Sequence, residues 1–309
     1  MYEHIERNAR VTWLLLAFFV LLILALGYAI GEVSDVGYAA LPVAAVVAAV
    51  SATSSYLYGD RVVLAVSSAR EVSHDEQPFL HNTVEGLAIA AGIPKPRVYL
   101  IADSAPNAFA TGRNPQHASI AVTTGLLEKL DRLELEGVLA HEMAHIQHMD
   151  IRLSTLVVVL VGMVALVSDW FWRSMRWGGR RRSRDGGGAG VPLALIAIVL
   201  AIFAPLAAQL IRFAVSRRRE LLADAGGAML TRYPAGLAGA LAKLDADRDP
   251  LEVANKATAH LYIVNPLKEW GGSMNALFNT HPPIEDRIRR LRDMAGPTGD
   301  FPPPREPSV

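Results

Sequence analysis

Three residues in one short segment have the types and spacing of a hydrolytic metal site. His141 and His145 are four residues apart, and Glu142 follows the first of them in the segment LAHEMAHIQHMD. On a helix, residues four apart lie on the same face, so both imidazoles can bind one Zn²⁺. A glutamate beside them can act as general base towards water. Short patterns of this kind also arise by chance, so a polar patch on a helix is the alternative interpretation.

A catalytic zinc site needs a third protein ligand, and the best candidate is Glu220 in the segment SRRRELLAD. Asp224 lies four residues later on the same helical face, where a carboxylate can accept the other N–H of a zinc-bound histidine. The alternative is a solvent-exposed helix on which Arg217–Arg219 pair with these two acids. The chain has no cysteine, so thiolate ligands, disulfides and a cysteine nucleophile are excluded.

The surrounding sequence predicts the elements that hold these residues. Asp131 with Glu134 three residues later forms a capping-box pattern, which predicts that a helix carrying His141 begins there. Helical spacing of apolar residues predicts another helix over Pro78–Ile93. Alternating, β-rich segments predict three strands, at Arg97–Ile101, Asn107–Thr111 and Ser119–Thr124.

Apolar residues, which make up 51% of the chain, are concentrated in a few long runs. The first is too long for a cleaved signal peptide and has about the length that crosses a bilayer. Together the runs predict two hairpins with two to four transmembrane helices. The four runs are Val11–Ile30, Gly37–Tyr58, Leu153–Val167 and Val191–Ile211.

The predicted fold class is α+β: a mainly helical, membrane-anchored protein with a small sheet beside the helix of His141. Residues 1–60 form the first hairpin, and residues 61–152 and 214–295 form the two parts of a catalytic domain. Residues 153–213 form a second apolar hairpin with an Arg- and Gly-rich loop at 173–190, and residues 296–309 are a proline-rich tail predicted to be disordered.

The charges give two conflicting signals about orientation. The formal net charge is zero, which gives no reason to expect a nucleic-acid partner. Arg7 and Arg10 precede the first run and Arg61 follows the second, so the positive-inside rule predicts a multi-pass protein of the plasma membrane with a cytoplasmic catalytic domain. That orientation places the arginines of 173–190 outside if the second hairpin crosses the membrane. Either this hairpin does not fully cross, or the earlier spans fix the orientation and override the charge signal; the short third run and Asp169 favour a shallow or partly protein-packed hairpin.

Several segments, in order and interleaved with apolar runs, resemble the HtpX family of bacterial membrane zinc endopeptidases, which is related to the CAAX prenyl endopeptidases. They are HEMAHIQHMD, SRRRELLAD and THPPIEDRI, together with the strand region PRVYLIADSAPNAFATGRNPQHASIAVTTGLL and the segment TAHLYIVNPL. The resemblance covers nearly the whole chain, and the joint occurrence is far more specific than any one motif.

The resemblance implies a role for individual positions. His141, His145 and Glu220 match the zinc ligands, Glu142 the general base and Asp224 a supporting acid. His281 matches a histidine that stabilises the tetrahedral intermediate. Arg287 matches a residue that supports the site. The segment of Asn107, Ala108 and Phe109 falls where such enzymes offer an edge strand to the substrate backbone.

The implied function is a zinc-dependent endopeptidase acting on membrane proteins, in quality control of misfolded proteins under stress. The sequence leaves two alternatives: an inactive membrane scaffold or regulator that retains zinc, and a transporter or channel. Only three convincing ligands are visible, which favours an open site, and the apolar runs carry almost no ionisable residues, which disfavours transport. His148 is expected on a helix surface or interface, Asp150 either supports a ligand or ends the helix, and His260 receives no role.

Overall fold

The computed structural model describes residues 2–33, 36–178, 216–253, 258–264 and 282–295. This part of the chain is mainly helical with one small mixed sheet, which confirms the predicted α+β class. The elements in chain order are α1 (Tyr2–Val33), α2 (Ala40–Val66), β1 (Arg70–Glu71), α3 (Pro78–Ala91), β2 (Arg97–Ile101), β3 (Ala108–Gly112), β4 (Ala118–Thr123), α4 (Thr124–Lys129), α5 (Arg132–Gln147), α6 (Asp150–Gly178), α7 (Arg217–Thr231), α8 (Pro234–Ala246) and α9 (Ile284–Met294).

The first two apolar runs form helices α1 and α2, which pack against each other as the predicted hairpin. By length and composition, Asn8–Glu32 and Gly37–Val66 are both able to cross a membrane. The helices approach closely at Gly27, where an added Cβ would lie 2.2 Å from the Cβ of Ala44. A glycine at this contact therefore sets the distance between the two helices.

The sheet has the order β1-β2-β4-β3, so β3 lies at one edge. β2 and β4 run parallel, and β3 pairs antiparallel with β4 in a register that places Ala108 opposite Val122. The three predicted strands are all present, with ends shifted by at most one residue. The two-residue strand β1 has no alternation long enough to be recognised in the sequence.

Helix α5 begins where its capping box predicts. The Asp131 carboxylate accepts hydrogen bonds from the backbone N–H groups of Leu133 and Glu134, and Glu134 accepts one from Asp131 N–H. Beyond its first turn α5 is almost wholly buried: Val138, Leu139 and Met143 have no exposed surface. It is the central helix of the main apolar core, packed between the sheet and helices α3, α7 and α8.

The chain bends sharply between α5 and α6. The two helices meet at 85°, and Met149 in the bend adopts a left-handed conformation with φ of 62°. The first turns of α6 then pack against the hairpin, where Leu153 and Val157 contact the cluster of Leu15 and Phe19. This packing agrees with the prediction that the third run is partly covered by protein, and the bent pair raises the number of candidate spans from two to three.

Helix α6 is longer than predicted. It continues to Gly178, so the first residues of the predicted loop at 173–190 are helical, and that boundary was wrong. The physical reason lies in the order of residues: the segment begins with Arg, Ser, Met and Trp, which a helix tolerates, and its glycines start only at Gly178. The fourth run (Val191–Ile211), the rest of that loop, His281 and the tail at 296–309 lie outside the described residues.

Candidate metal centre and active site

His141 and His145 lie one turn apart on α5 and face each other. Their Nε2 atoms are 3.2 Å apart, and their rings are perpendicular with centroids 4.7 Å apart. The close approach depends on α7, which lies directly behind the helix: an added Cβ at Gly227 would be 2.9 Å from the backbone N of His141. The predicted pair of imidazoles is therefore present, held by a helix packed on all sides.

Glu220 reaches the same point from the first turn of α7. Its two carboxylate oxygens lie 3.9 Å from Nε2 of His141 and 3.6 Å from Nε2 of His145. Ligand atoms about 2.0–2.1 Å from a tetrahedral Zn²⁺ are about 3.3 Å apart, close to these separations. Among the described residues, these three form a group able to hold one metal ion.

A carboxylate supports the second nitrogen of each imidazole. The Nδ1 of His145 is 3.0 Å from an oxygen of Asp150, in a well-formed hydrogen bond. The Nδ1 of His141 is also 3.0 Å from an oxygen of Asp224, although this N–H is not aligned with the carboxylate. Such contacts place the protons on Nδ1 and leave two Nε2 lone pairs facing each other, which is favourable only with a cation between them. The residues therefore fit a bound metal.

The pKa values of the two imidazoles follow from these contacts. Burial lowers the pKa of His141 to about 4, with Asp224 opposing the shift. Burial acts in the same direction on His145, but the hydrogen bond to Asp150 and the charge of Glu220 raise its pKa to about 9. The carboxylates around His145 thus favour a positive charge at the point where the candidate ligands meet.

Glu142 is buried beside the two histidines, with 2% of its surface exposed. Burial raises the pKa of its carboxyl to about 7, opposed by the charge of His145 and by a hydrogen bond from the backbone of Ala110. A carboxyl with a pKa near neutrality is suited to accept and return a proton. The predicted base therefore has both the position and the electrostatics for that role.

Arg287 connects α9 to the site from behind. The fully buried guanidinium donates two hydrogen bonds to Asp224, at 2.9 and 2.7 Å, and one to the carbonyl of Ile263 at 3.0 Å. Burial alone would raise the pKa of Asp224, but the charge of Arg287 and its hydrogen bonds lower this pKa to about 2. Asp224 is therefore ionised at neutral pH and held against His141.

A cleft that is partly open to solvent lies beside the candidate metal ligands. Glu142, His145 and Glu220 form part of its wall, and His260, to which the sequence assigned no role, forms another part. The remaining lining residues are Ala110, Asp150, Ile151, Ser154, Arg219 and Leu261. A space of about 30 Å³ beside His145 and Glu220 has room for water.

The residues of the predicted substrate strand have different surroundings. Asn107 is buried and its amide donates to the carbonyl of Val264, while the ring of Phe109 is buried against Tyr262. The carbonyl of Ala108 accepts a hydrogen bond from Ile263 N–H. The strand residue that lines the cleft is Ala110, one position beyond the predicted segment, and the sequence alone had no signal for this register.

Three other residues considered in the sequence have separate outcomes. Asp150 supports His145, which is the first of the two roles considered for it, and His148 is half-buried at the C-terminal end of α5. His281 lies outside the described residues. Asn8, which sequence patterns did not indicate, hydrogen-bonds Asp150 from α1.

Comparisons with known proteins agree with this geometry. The model for peptidase family M48 matches residues 74–295. A Protease HtpX homolog of Dictyoglomus thermophilum is 48% identical over 293 residues, covering 95% of this chain and 94% of that protein. A Protease HtpX homolog of Tropheryma whipplei is 46% identical over 294 residues, covering 95% and 98%.

Among solved structures, S. mikatae Ste24p is similar with a TM-score of 0.43 and 18% sequence identity, covering 77% of this chain and 55% of that one. The sequence relationships are much stronger than this structural one, and they extend over both the hairpin and the site residues. The chain belongs to peptidase family M48, among the HtpX-type membrane metalloproteases that its motifs resemble.

Proposed function

We propose that the protein is a zinc-dependent endopeptidase that hydrolyses peptide bonds with Glu142 as general base. The observation that carries the proposal is the convergence of three candidate ligands beside a cleft whose wall includes two of them, His145 and Glu220, and the buried carboxyl of Glu142. A structural zinc site is usually closed by a fourth protein ligand, so an open side argues against a scaffold that only retains zinc.

Zinc is proposed because two imidazoles and one carboxylate are a ligand set of catalytic zinc sites. When bound, the ion would polarise the scissile carbonyl and make water acidic enough to lose a proton near neutral pH. Glu142 would take that proton and return it to the leaving amine. Asp150 and Asp224 would keep the imidazoles oriented, and His281 is proposed to stabilise the oxyanion.

The substrate is proposed to bind as an extended peptide along the outer edge of β3. This edge bonds to Ile263 N–H at Ala108 and to the Thr155 hydroxyl at Gly112, and Ala110 lies between these positions beside Glu142. Backbone pairing at Ala110 would place the peptide across the cleft without reading its sequence. The segment Asn107–Phe109 would then act mainly by holding the strand and its neighbouring loop.

The proposed substrates are membrane proteins, including misfolded ones cleaved in quality control under stress. Support for this class comes from the position of the site: α6 starts beside His145 and packs at once against the candidate membrane hairpin. The cleft therefore lies next to the hairpin, where a segment leaving the bilayer is within reach.

The catalytic domain is proposed to face the cytoplasm of a cell with this protein in its plasma membrane. A cysteine placed at Val36, exposed between α1 and α2, is expected to react with a membrane-impermeant thiol reagent in intact cells. A cysteine at Asp75, exposed in the catalytic domain, is expected to react only after lysis. The chain has no cysteine of its own, so the wild type is the blank; the reverse labelling pattern would invert the orientation.

Replacing Glu220 by Ala tests the proposed function. Loss of one of three ligands is expected to leave the purified protein without stoichiometric zinc and to abolish cleavage of casein in detergent. Glu285→Ala, which changes an exposed glutamate on α9, is the matched control and should retain both. A Glu220→Ala protein that kept one zinc and wild-type cleavage would refute the proposed centre.

A further inference from the structure

The first apolar helix contacts the candidate metal centre through one polar side chain. Asn8 lies near the start of α1 and is buried, with 6% of its surface exposed. Its amide N–H donates to Asp150 at 2.7 Å, and a second, longer contact of 3.4 Å reaches the carbonyl of His148. Asp150 uses its other oxygen to hold Nδ1 of His145.

The carbonyl end of the same amide is also engaged. Asn8 Oδ1 accepts a hydrogen bond of 3.1 Å from the guanidinium of Arg219, which is itself buried and precedes the ligand Glu220 in α7. The amide thus has a defined orientation, with its donor towards a carboxylate and its acceptor towards a cation. One side chain of α1 thus contacts both the carboxylate that holds His145 and the residue that precedes Glu220.

The packing of α1 against α6 keeps Asn8 next to Asp150. Leu15 and Phe19 pack with Leu153 and Val157 of α6, the helix that Asp150 begins. Any shift of α1 along α6 would therefore move Asn8 relative to Asp150.

We propose that Asn8 is a positioning residue through which the first membrane helix fixes the orientation of Asp150 and thereby of His145. A polar residue buried at the end of an apolar helix is costly unless it is hydrogen-bonded. Here the shortest of these bonds goes to Asp150, the carboxylate that holds His145. Helix α1 is therefore part of the structure of the site, in addition to attaching the protein to the membrane. The inference rests on the metal site of the proposed function.

The test compares zinc release from full-length protein in detergent. Asn8→Leu removes all three contacts of the amide and keeps the number of side-chain heavy atoms. Asn8→Asp keeps the shape but turns a carboxylate towards Asp150. Each is expected to release zinc to a chelator about tenfold faster than the wild type, the lower end of the effect for partners that contact a ligand directly. Each should also shift the visible absorption of the Co²⁺-substituted protein, which reports ligand geometry.

Thr12→Val is the matched control because it removes a buried hydrogen bond of the same helix that does not involve Asp150. It is expected to leave zinc release and the Co²⁺ spectrum unchanged. If the Asn8 variants lowered thermal stability but matched the wild type in both readouts, their role would be structural only and the inference would be wrong. A wild-type protein that bound no zinc would instead overturn the proposed function, and the inference with it.

Discussion

Replacing Glu142 by Gln is expected to lower peptide cleavage by about 10²–10⁴-fold, the usual contribution of a general acid–base group, while one zinc stays bound. The substitution keeps the size and shape of the side chain in a site where 2% of the residue is exposed. It removes only the ability to take a proton, since an amide is not basic. Glu142 is outside the group of three ligands, so metal binding should not depend on it.

The measurement is the rate of casein cleavage per bound zinc, with zinc counted in the same preparation. Glu136→Gln, on the same helix and half-buried, is the matched control and should cleave at the wild-type rate. Loss of zinc from Glu142→Gln would place this residue in the coordination sphere and contradict the assigned role. Full cleavage would eliminate it as the base.

Replacing Arg287 by Met is expected to lower the free energy of unfolding by about 3–5 kcal/mol, the cost of breaking a buried ion pair from one side. Arg287 is 1% exposed and its guanidinium is the bidentate partner of Asp224, which is itself buried. Without it Asp224 keeps its burial but loses the charge that lowers its pKa, and the carbonyl of Ile263 loses a donor. Much of the cost is the uncompensated carboxylate.

Chemical denaturation of the metal-free protein in detergent measures this effect without interference from zinc. Arg289→Met, on the same helix but exposed in a pair with Asp286, should change the free energy of unfolding by less than about 1 kcal/mol. In an Asp224→Asn background, Arg287→Met should lower the free energy of unfolding by less, because no unpaired carboxylate is then left at position 224. Equal losses in both backgrounds would show that the ion pair does not carry the effect.

Local sequence signals were sufficient for the catalytic helix. The capping box at Asp131 fixed its start, and the four-residue spacing of His141 and His145 fixed their common face, because both are determined within one or two turns. Four-residue spacing also placed Glu220 and Asp224 on one face of α7, but they became candidates only beside the histidine pair, since a solvent-exposed pair was the alternative. The strands were recognisable for a similar reason: alternation is a local property.

Features that depend on tertiary packing were not predictable from local patterns. Asn8 is 142 residues from Asp150 in the chain, and only the folded packing of α1 on α6 brings them together. The bend after α5 places Met149 in the left-handed region, which is uncommon for residues other than glycine and is not predicted by a methionine in the sequence. The contact of Ala110 with the cleft depends on the pairing register of β3, and strand patterns locate ends only to within a residue or two.

The most direct test of the metal-dependent mechanism is a zinc titration of metal-free, detergent-solubilised wild-type protein, with binding and peptide cleavage followed in the same sample. Cleavage is expected to rise in proportion to occupancy and to reach its plateau at one ion per chain, since His141, His145 and Glu220 form one centre. Cleavage at the full rate before any zinc is added, or a plateau unrelated to occupancy of one site, would contradict the assignment.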